Sequence, residues 1–254
     1  MPSDCPYSLY RTSTDISPVW ASVHANLLSL RPFQRDPPLS RPGAWAHPDM
    51  LEVGRMATAA EDRAHFGAWC VTSSPLVLGD DLRDDATTAR LWPIIANPDA
   101  IAKHLNQAWA GHVCRGEAPT HRRAEPTGLT HTRCSRVRAP PPRRGTAGPP
   151  GQGVVRHTGT GVELWTKPLG GGRHAALLLN PTDIANVSAT LRPTDVGVAA
   201  GVAVLVCDVW GMTGGAVPTD RRPAVPPVAL DAHDARLFTT RPAEGVGKGG
   251  AAGR

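Results

Sequence analysis

Two short motifs, each carrying an aspartate just beyond a strand-like run, constrain the fold of this chain more than any other feature. The first, R-T-S-T-D-I, spans residues 11–16, and the second, W-A-H-P-D-M-L-E-V-G, spans residues 45–54. A segment with helix-like spacing of apolar residues follows each motif. Strands that alternate with helices indicate a parallel sheet. The sequence therefore predicts an α/β unit with Asp15 and Asp49 at the ends of strands.

Helix signals fill out this unit, which extends over residues 1–112. Ser17 followed by Pro18 is a favourable helix start. Apolar residues then fall on one helical face, namely Val19, Trp20, Val23, Leu27 and Leu28. A capping box, T-A-A-E at residues 58–61, predicts a second helix that ends near Ser73. The side chains expected to point inward from this second helix are Phe66, Trp69 and Cys70.

Further elements of the same kind follow along the chain. Residues 76–79 form a short apolar run that predicts a buried strand after Pro75, and helices are expected at residues 87–95 and 98–108. The count is therefore roughly three strand–helix units, whereas a closed (β/α)8 barrel has eight.

The hydrophobic pattern changes between residues 154 and 240. Short apolar or alternating runs are separated there by turn signals such as Gly170-Gly171-Gly172 and Asn180-Pro181. This pattern is typical of an antiparallel β-sandwich. The predicted strands lie at residues 162–166, 175–180, 187–191, 202–207 and 235–238.

The positive charge of the chain is concentrated in the segment 115–153, which links these two regions. It contains eight arginines, no lysine and two glutamates, together with proline runs at residues 140–142 and 149–150. Proline and solvated charge favour extended backbone, so we expect disorder. Binding of nucleic acid is the alternative, since arginine-rich segments contact phosphate. The segment lacks the aromatic residues that would stack on bases.

Several other kinds of site find little support. The five cysteines are odd in number and show no C-x-x-C spacing, which supports neither a zinc site nor a disulfide framework. Cys70 and Cys207 are expected to be buried as small apolar residues. No metal site is predicted, because the histidines are scattered. Four aspartates could gather calcium but lack the glycine and closing glutamate of an EF-hand loop; they are Asp80, Asp81, Asp84 and Asp85.

Two further observations concern the cellular route of the protein. No run of eighteen apolar residues occurs, so no transmembrane helix is predicted. The first six residues contain no apolar stretch of the kind found in a secretory signal. Asn186-Val187-Ser188 is an N-glycosylation sequon, which has meaning only in a protein that enters the secretory route.

The order and spacing of the motifs resemble those of the α-galactosidases of glycoside hydrolase family 27. That family carries W-R-T-x-x-D-I followed by W-N-D-P-D-M-L. Matching blocks continue at residues 63–69, 74–83 and 94–101, and, in the second region, at residues 165–173, 178–183, 208–210 and 226–235. The resemblance implies part of a (β/α)8 barrel, about strands six to eight, followed by a C-terminal antiparallel β-sandwich. The implied division is barrel at 1–114, disordered insert at 115–153, β-sandwich at 154–241 and disordered tail at 242–254.

The resemblance also implies roles for individual residues. Asp15 fills the position of the catalytic acid/base, and Arg11 that of the arginine at the sugar's 2-hydroxyl. Asp49, Met50 and Trp45 fall at substrate-binding positions. Without the resemblance, Asp15 would be interpreted as a helix N-cap or a loop residue, and Arg11 as a surface ion-pair residue. Met50 and Trp45 would be interpreted as packing residues. A retaining glycosidase uses two carboxylates about 5–5.5 Å apart, and it needs no cofactor.

This chain departs from the family at several positions. The nucleophile motif K-x-D-x-C has no counterpart, Tyr10 stands where tryptophan is usual, and Ala46-His47 replaces asparagine-aspartate. We therefore expect either a fragment of an enzyme that hydrolyses terminal α-D-galactosyl residues or a non-catalytic remnant.

Expectations about partners and location also come from the resemblance. The expected partner is an α-galactoside, with no nucleic acid and no membrane, and a homodimer of the full-length protein stays open. The family suggests a secreted, lysosomal or vacuolar location and adds the expectation of a disulfide bond, whose pairing the sequence leaves open.

Overall fold

The structure is a computed structural model that describes residues 8–34, 39–40, 44–105, 153–157, 161–199, 204–211 and 227–242. The insert predicted at residues 115–153 and the tail predicted at residues 242–254 lie outside the described residues, apart from Gly153 and Pro242.

In the described part of the N-terminal region there are two parallel strands and four α-helices. The elements are β1 (Leu9–Arg11), α1 (Trp20–Leu28), β2 (Trp45–His47), α2 (Ala59–Thr72), α3 (Asp85–Ile95) and α4 (Pro98–Leu105). β1 pairs with β2 in parallel register, with Arg11 opposite His47. The strand predicted at residues 76–79 is reduced to one parallel bridge between Leu51 and Leu78. The parallel pairing brings the loops after β1 and β2 to the same edge.

The first helix begins later than its sequence signals suggest. Its N-cap is Val19, whose side chain makes no capping hydrogen bond, and the predicted start at Ser17 was therefore wrong. The backbone N–H of Ser17 instead donates to Ser22 Oγ at 3.0 Å. Val19 is 55% exposed rather than buried, whereas Trp20, Val23 and Leu27 face the core as predicted.

The second helix follows its predicted boundaries closely. Thr58 accepts a hydrogen bond from the backbone N–H of Glu61 through its side chain, as a capping residue does. The Glu61 carboxylate does not return to Thr58 but accepts from the N–H of Ala57. Ser73 ends the helix in the left-handed conformation, with φ of 61°. The inward-facing residues predicted for this helix are buried.

The C-terminal region is antiparallel, as predicted. Five strands form one sheet in the order β3 (Val154–His157), β4 (Glu163–Gly170), β5 (Arg173–Leu179), β9 (Ala235–Pro242) and β7 (Val204–Asp208). A smaller sheet pairs β6 (Val187–Ala189) with β8 (Val228–Leu230). The sequence pattern missed β3 and β8. The glycine turn that joins β4 to β5 has positive φ angles at Gly170, Gly171 and Gly172.

The five-stranded sheet packs on both faces. Trp165, Leu177 and Leu237 join the helices of the N-terminal region in one buried cluster. Leu178 and Phe238, which alternate with them along the strands, pack against β6 and β8 in a second cluster. This alternation is the period-two pattern of a strand buried on both sides.

The remaining sequence expectations have mixed outcomes. Cys70 is buried and Cys207 partly buried, and neither forms a disulfide, so the expected disulfide finds no support in the described part of the chain. The other three cysteines fall outside it. None of the helices that the structure describes is both long and apolar enough to cross a membrane.

Candidate functional site

The side chain of Arg11 brings the two sequence motifs together. Arg11 ends β1, and its guanidinium lies 2.7 Å from Asp15 Oδ1 through Nη2 and 3.0 Å from Asp49 Oδ2 through Nη1. The hydrogen bond to Asp15, followed by the charge of Asp49, raises the pKa of Arg11 above its ordinary value. Three of the five predicted site residues therefore form one charged cluster at the carboxyl ends of β1 and β2.

Within this cluster the Asp49 carboxylate is held by several donors. Oδ2 accepts from Arg11 and from the backbone N–H of Ile16 at 3.1 Å, while Oδ1 accepts from the N–H of Met50 at 2.8 Å. The backbone of Asp49 has φ of 98°, which few non-glycine residues adopt. Such strain is found at ligand sites, where the surrounding contacts maintain it.

The loops after β1 and β2 are tied together by side chains that donate to backbone carbonyls. Asn26, buried in α1, donates through Nδ2 to Thr14 O at 3.2 Å and to Pro48 O at 3.0 Å. Ser13 Oγ also donates to Pro48 O, at 2.9 Å. These contacts fix the spacing of the two loops and hence of the cluster between them.

Two side chains of helix α2 form hydrogen bonds with the backbone of the loop after β2. Trp69 Nε1 donates to the carbonyl of Asp49 at 2.8 Å, and His65 Nε2 accepts from the N–H of Glu52 at 3.2 Å. The two rings stack with centroids 4.1 Å apart. Burial lowers the pKa of His65 to about 3, so its imidazole is neutral near pH 7.

The resemblance described above implies that His47 stands where an aspartate is usual. Its Nδ1 accepts from the N–H of Asp49 at 3.3 Å, which requires Nδ1 to be unprotonated. Burial is the main cause that lowers the pKa of His47; the charge of Arg11 lowers it too, while that of Asp49 opposes this. A neutral imidazole here leaves Nε2–H as a donor.

The other predicted site residues differ in position and exposure. The Asp15 side chain is 90% exposed, so solvent can reach it. Met50 is half-buried, and its methyl group lies so close to Gly79 that a Cβ there would be 2.3 Å from Met50 Cε. Trp45 begins β2 in register with Leu9, two residues before the strand end at which the charged cluster lies.

Sequence reasoning missed Asn26, Glu52, His65 and Trp69 as supporting residues. Asn26 carried a signal, because it is a polar residue on the buried face of α1. Glu52 is 3% exposed and pairs with Arg55 at 2.7 Å; burial raises the pKa of its carboxyl group. The burial of the Glu52 carboxylate could not be predicted from the residue types of the motif alone.

Two of the four aspartates after residue 79, Asp81 and Asp84, have structural partners. Asp81 pairs with Arg83 at 2.8 Å, and Asp84 caps α3 by accepting from the N–H groups of Ala86 and Thr87. Within the described ranges, no group of three or more histidine, cysteine, aspartate or glutamate side chains could hold a metal ion.

Known proteins resemble the chain in both regions. The sequence profile of the family "Alpha galactosidase A" matches residues 4–107, and that of "Alpha galactosidase C-terminal beta sandwich domain" matches residues 159–240. An α-galactosidase from rice (Oryza sativa subsp. japonica) is 26% identical over 236 residues, covering 92% of this chain and 44% of the rice protein. α-Galactosidase A from Cellvibrio japonicus is 39% identical over 107 residues, covering 39% of this chain and 25% of that protein.

A solved structure shares the fold. The crystal structure of a GH27 β-L-arabinopyranosidase from Geobacillus stearothermophilus aligns with a TM-score of 0.63 at 16% identity. The alignment covers 94% of this chain and 46% of that one.

The fold, with its β-sandwich, and the matches across both regions define the class: the chain is homologous to glycoside hydrolases. In particular, it is homologous to the α-galactosidases of glycoside hydrolase family 27 and corresponds to the C-terminal part of these proteins. The chain spans less than half the length of the curated relatives named above.

Proposed function

We propose that Arg11, Asp15 and Asp49 form the acid/base and sugar-binding side of the active site of a retaining α-galactosidase. The observation that carries this proposal is the single guanidinium of Arg11 in contact with both carboxylates. The carboxylates accept hydrogen bonds, and the guanidinium group donates two in parallel. Both features suit the vicinal hydroxyl groups of a sugar. Met50 and Trp45 complete the proposed substrate-binding set.

In this proposal each side chain has a separate task. Asp15 donates a proton to the leaving glycosidic oxygen and later takes one from the water that hydrolyses the glycosyl-enzyme. Its exposure is consistent with both transfers. Arg11 contacts the 2-hydroxyl, and Asp49 accepts hydrogen bonds from other sugar hydroxyls. The covalent intermediate forms on a second carboxylate, which the family supplies from K-x-D-x-C, a motif absent from these 254 residues.

The proposed organisation follows the two profiles. Residues 1–114 represent the C-terminal part of a (β/α)8 barrel, and the parallel pairing of β1 with β2 supports this assignment. Residues 154–241 form the β-sandwich domain. The substrate of the complete enzyme is an oligosaccharide or glycoconjugate that ends in α-D-galactose.

A non-catalytic remnant is the second candidate, and a specific observation favours it. Ala46-His47 replaces the asparagine-aspartate pair of the family, which removes the amide side chain and exchanges a carboxylate for an imidazole, with the loss of one negative charge beside Asp49. Nδ1 of His47 already accepts a hydrogen bond from the backbone N–H of Asp49. In this alternative the cluster binds sugar weakly and turns over nothing.

The experiment that tests the proposal supplies the nucleophile from solution. The purified 254-residue chain is incubated with aryl α-galactosides, with and without azide, a small anion that can attack the anomeric carbon. We expect no turnover without azide and slow formation of β-galactosyl azide with it. Azide then replaces the aryloxide, and Asp15 protonates the departing oxygen.

Substrates whose leaving groups differ in basicity test whether Asp15 acts as the general acid. Asp15→Asn should abolish the azide reaction of phenyl α-galactoside, whose leaving group needs a proton, and should spare the 2,4-dinitrophenyl substrate. Equal rates for Asp15→Asn and wild type on the phenyl substrate would refute the acid role. The absence of any azide product with either substrate would favour the non-catalytic remnant.

A further inference from the structure

The loop that carries Asp49 contains a strained backbone conformation at Asp49 itself. Asp49 is one of four non-glycine residues with positive φ in the described part of the chain, and it is the one in the charged cluster. A residue in this conformation persists when the surrounding structure holds it there. The question is which groups hold it.

Two side chains of α2, one helical turn apart, form hydrogen bonds with the backbone at the two ends of residues 49–52. Trp69 donates to the carbonyl of Asp49, and His65 accepts from the N–H of Glu52. Both side chains are fully buried, and their rings stack with an angle of 20° between the planes. The stacked pair therefore fixes the direction of the backbone over residues 49–52.

The consequence reaches the carboxylate of Asp49. While Trp69 holds the carbonyl of Asp49, the side chain of Asp49 accepts from Arg11 and from the N–H of Ile16. Trp69 is 0% exposed and cannot touch a sugar directly, and its indole N–H contacts the loop through the carbonyl of Asp49.

We propose that His65 and Trp69 are positioning residues that hold the strained backbone of Asp49 and thereby aim its carboxylate at Arg11. The part of this inference that concerns sugar binding rests on the proposed function. The part that concerns the geometry of the loop does not depend on it.

Trp69→Phe tests the role of the indole N–H, because phenylalanine can keep the stacking on His65 and cannot donate. A matched control exists in Trp20→Phe. Trp20 also lies on a helix, donates Nε1 to a loop carbonyl, that of Pro181 at 3.0 Å, and stacks on a histidine, His233. The control removes an equivalent hydrogen bond that does not involve the loop of Asp49.

Two readouts separate the positioning role from general stability. The first is the amide chemical shift and hydrogen exchange of Ile16 and Met50, whose N–H groups donate to the Asp49 carboxylate. We expect Trp69→Phe to shift both amides and speed their exchange about tenfold, and Trp20→Phe to leave them unchanged. The second is the dissociation constant for D-galactose, which should rise about five- to tenfold in Trp69→Phe alone, as expected for one lost hydrogen bond.

Each outcome decides a separate claim. Unchanged amides of Ile16 and Met50 in a folded Trp69→Phe variant would overturn the positioning role, as would equal changes in Trp20→Phe. Wild-type protein that binds no galactose would refute the proposed function, while the amide readout would still decide the inference. If Trp69→Phe does not fold, His65→Phe, which removes the acceptor for Glu52, should perturb the same two amides, and unchanged amides there would overturn the proposal.

Discussion

Arg63 of α2 and Asp234, in the turn before β9, form an ion pair with 3.1 Å between Nη2 and Oδ1, although 171 residues separate them in the sequence. The side chain of Asp234 is 5% exposed and that of Arg63 19%. Breaking one partner of a buried pair leaves an uncompensated charge, so Arg63→Met should lower the free energy of unfolding by about 3 kcal/mol. Urea denaturation measures this loss.

The control for this pair is a double-mutant cycle. Arg63→Met combined with Asp234→Asn should cost clearly less than the sum of the two single changes, because the second change removes the orphaned charge. Strict additivity would mean that the helical region and the β-sandwich are not coupled through these two side chains.

Lys167 should give the protein a pH dependence on the alkaline side. Burial lowers the pKa of Lys167 to about 7, and the nearby Cys70 opposes this in part. Between pH 7 and about 10 the unfolded state binds more protons than the folded state, so the free energy of unfolding should rise with pH, by at most about 1.4 kcal/mol per unit. Lys167→Met should remove this rise in denaturation measurements made at several pH values. A variant with an unchanged slope would show that Lys167 is not its source.

His65 should act in the same direction at lower pH. Its folded-state pKa of about 3 lies below the value of an unfolded histidine, near 6.5. As pH falls from 6.5 toward 3, His65 binds a proton in the unfolded state but not in the folded state. The free energy of unfolding therefore decreases. At pH 5 the loss should be about 2 kcal/mol. The comparison of wild type with His65→Gln isolates this contribution from the titrating carboxylates, and parallel curves would argue against it.

Gly79 is predicted to tolerate no side chain. A Cβ at this position would lie 2.3 Å from Met50 Cε and 2.8 Å from the backbone oxygen of Leu51. Because the backbone cannot yield as a side chain can, Gly79→Ala should cost about 2–3 kcal/mol. Gly67→Ala is the matched control, since its Cβ would meet a flexible atom of Leu177 at 3.0 Å. Thermal unfolding should rank Gly79→Ala well below Gly67→Ala, and the reverse order would contradict the packing described here.

Local signals predicted much of the fold, and contacts distant in sequence account for the errors. The capping residue Thr58 marked the start of α2 because its hydrogen bond spans only three residues. Ser17 and Pro18 gave an equally plausible start for α1, yet the Ser17 N–H is satisfied by Ser22 instead. β8 has three residues, too few for an alternating pattern to stand out, and it exists through its pairing with β6.

The same distinction applies to the site. The motifs indicated Arg11, Asp15 and Asp49 by residue type, and the parallel register of β1 and β2 then brings them together. The contacts of Trp69 with Asp49 and of Asn26 with Pro48 depend on how helices pack against loops. No local spacing encodes such contacts, so the supporting residues emerged only from the structure.

Binding of galactose by the cluster of Arg11, Asp15 and Asp49 is tested most directly by an NMR titration of the 254-residue chain with D-galactose. D-Glucose, the C4 epimer, and Asp49→Asn, which keeps the shape of the side chain, serve as controls. We predict saturable binding of galactose in preference to glucose, weakened about tenfold or more in Asp49→Asn by the loss of a charged acceptor. Equal affinity of wild type and Asp49→Asn, or no binding by the wild type, would contradict the account.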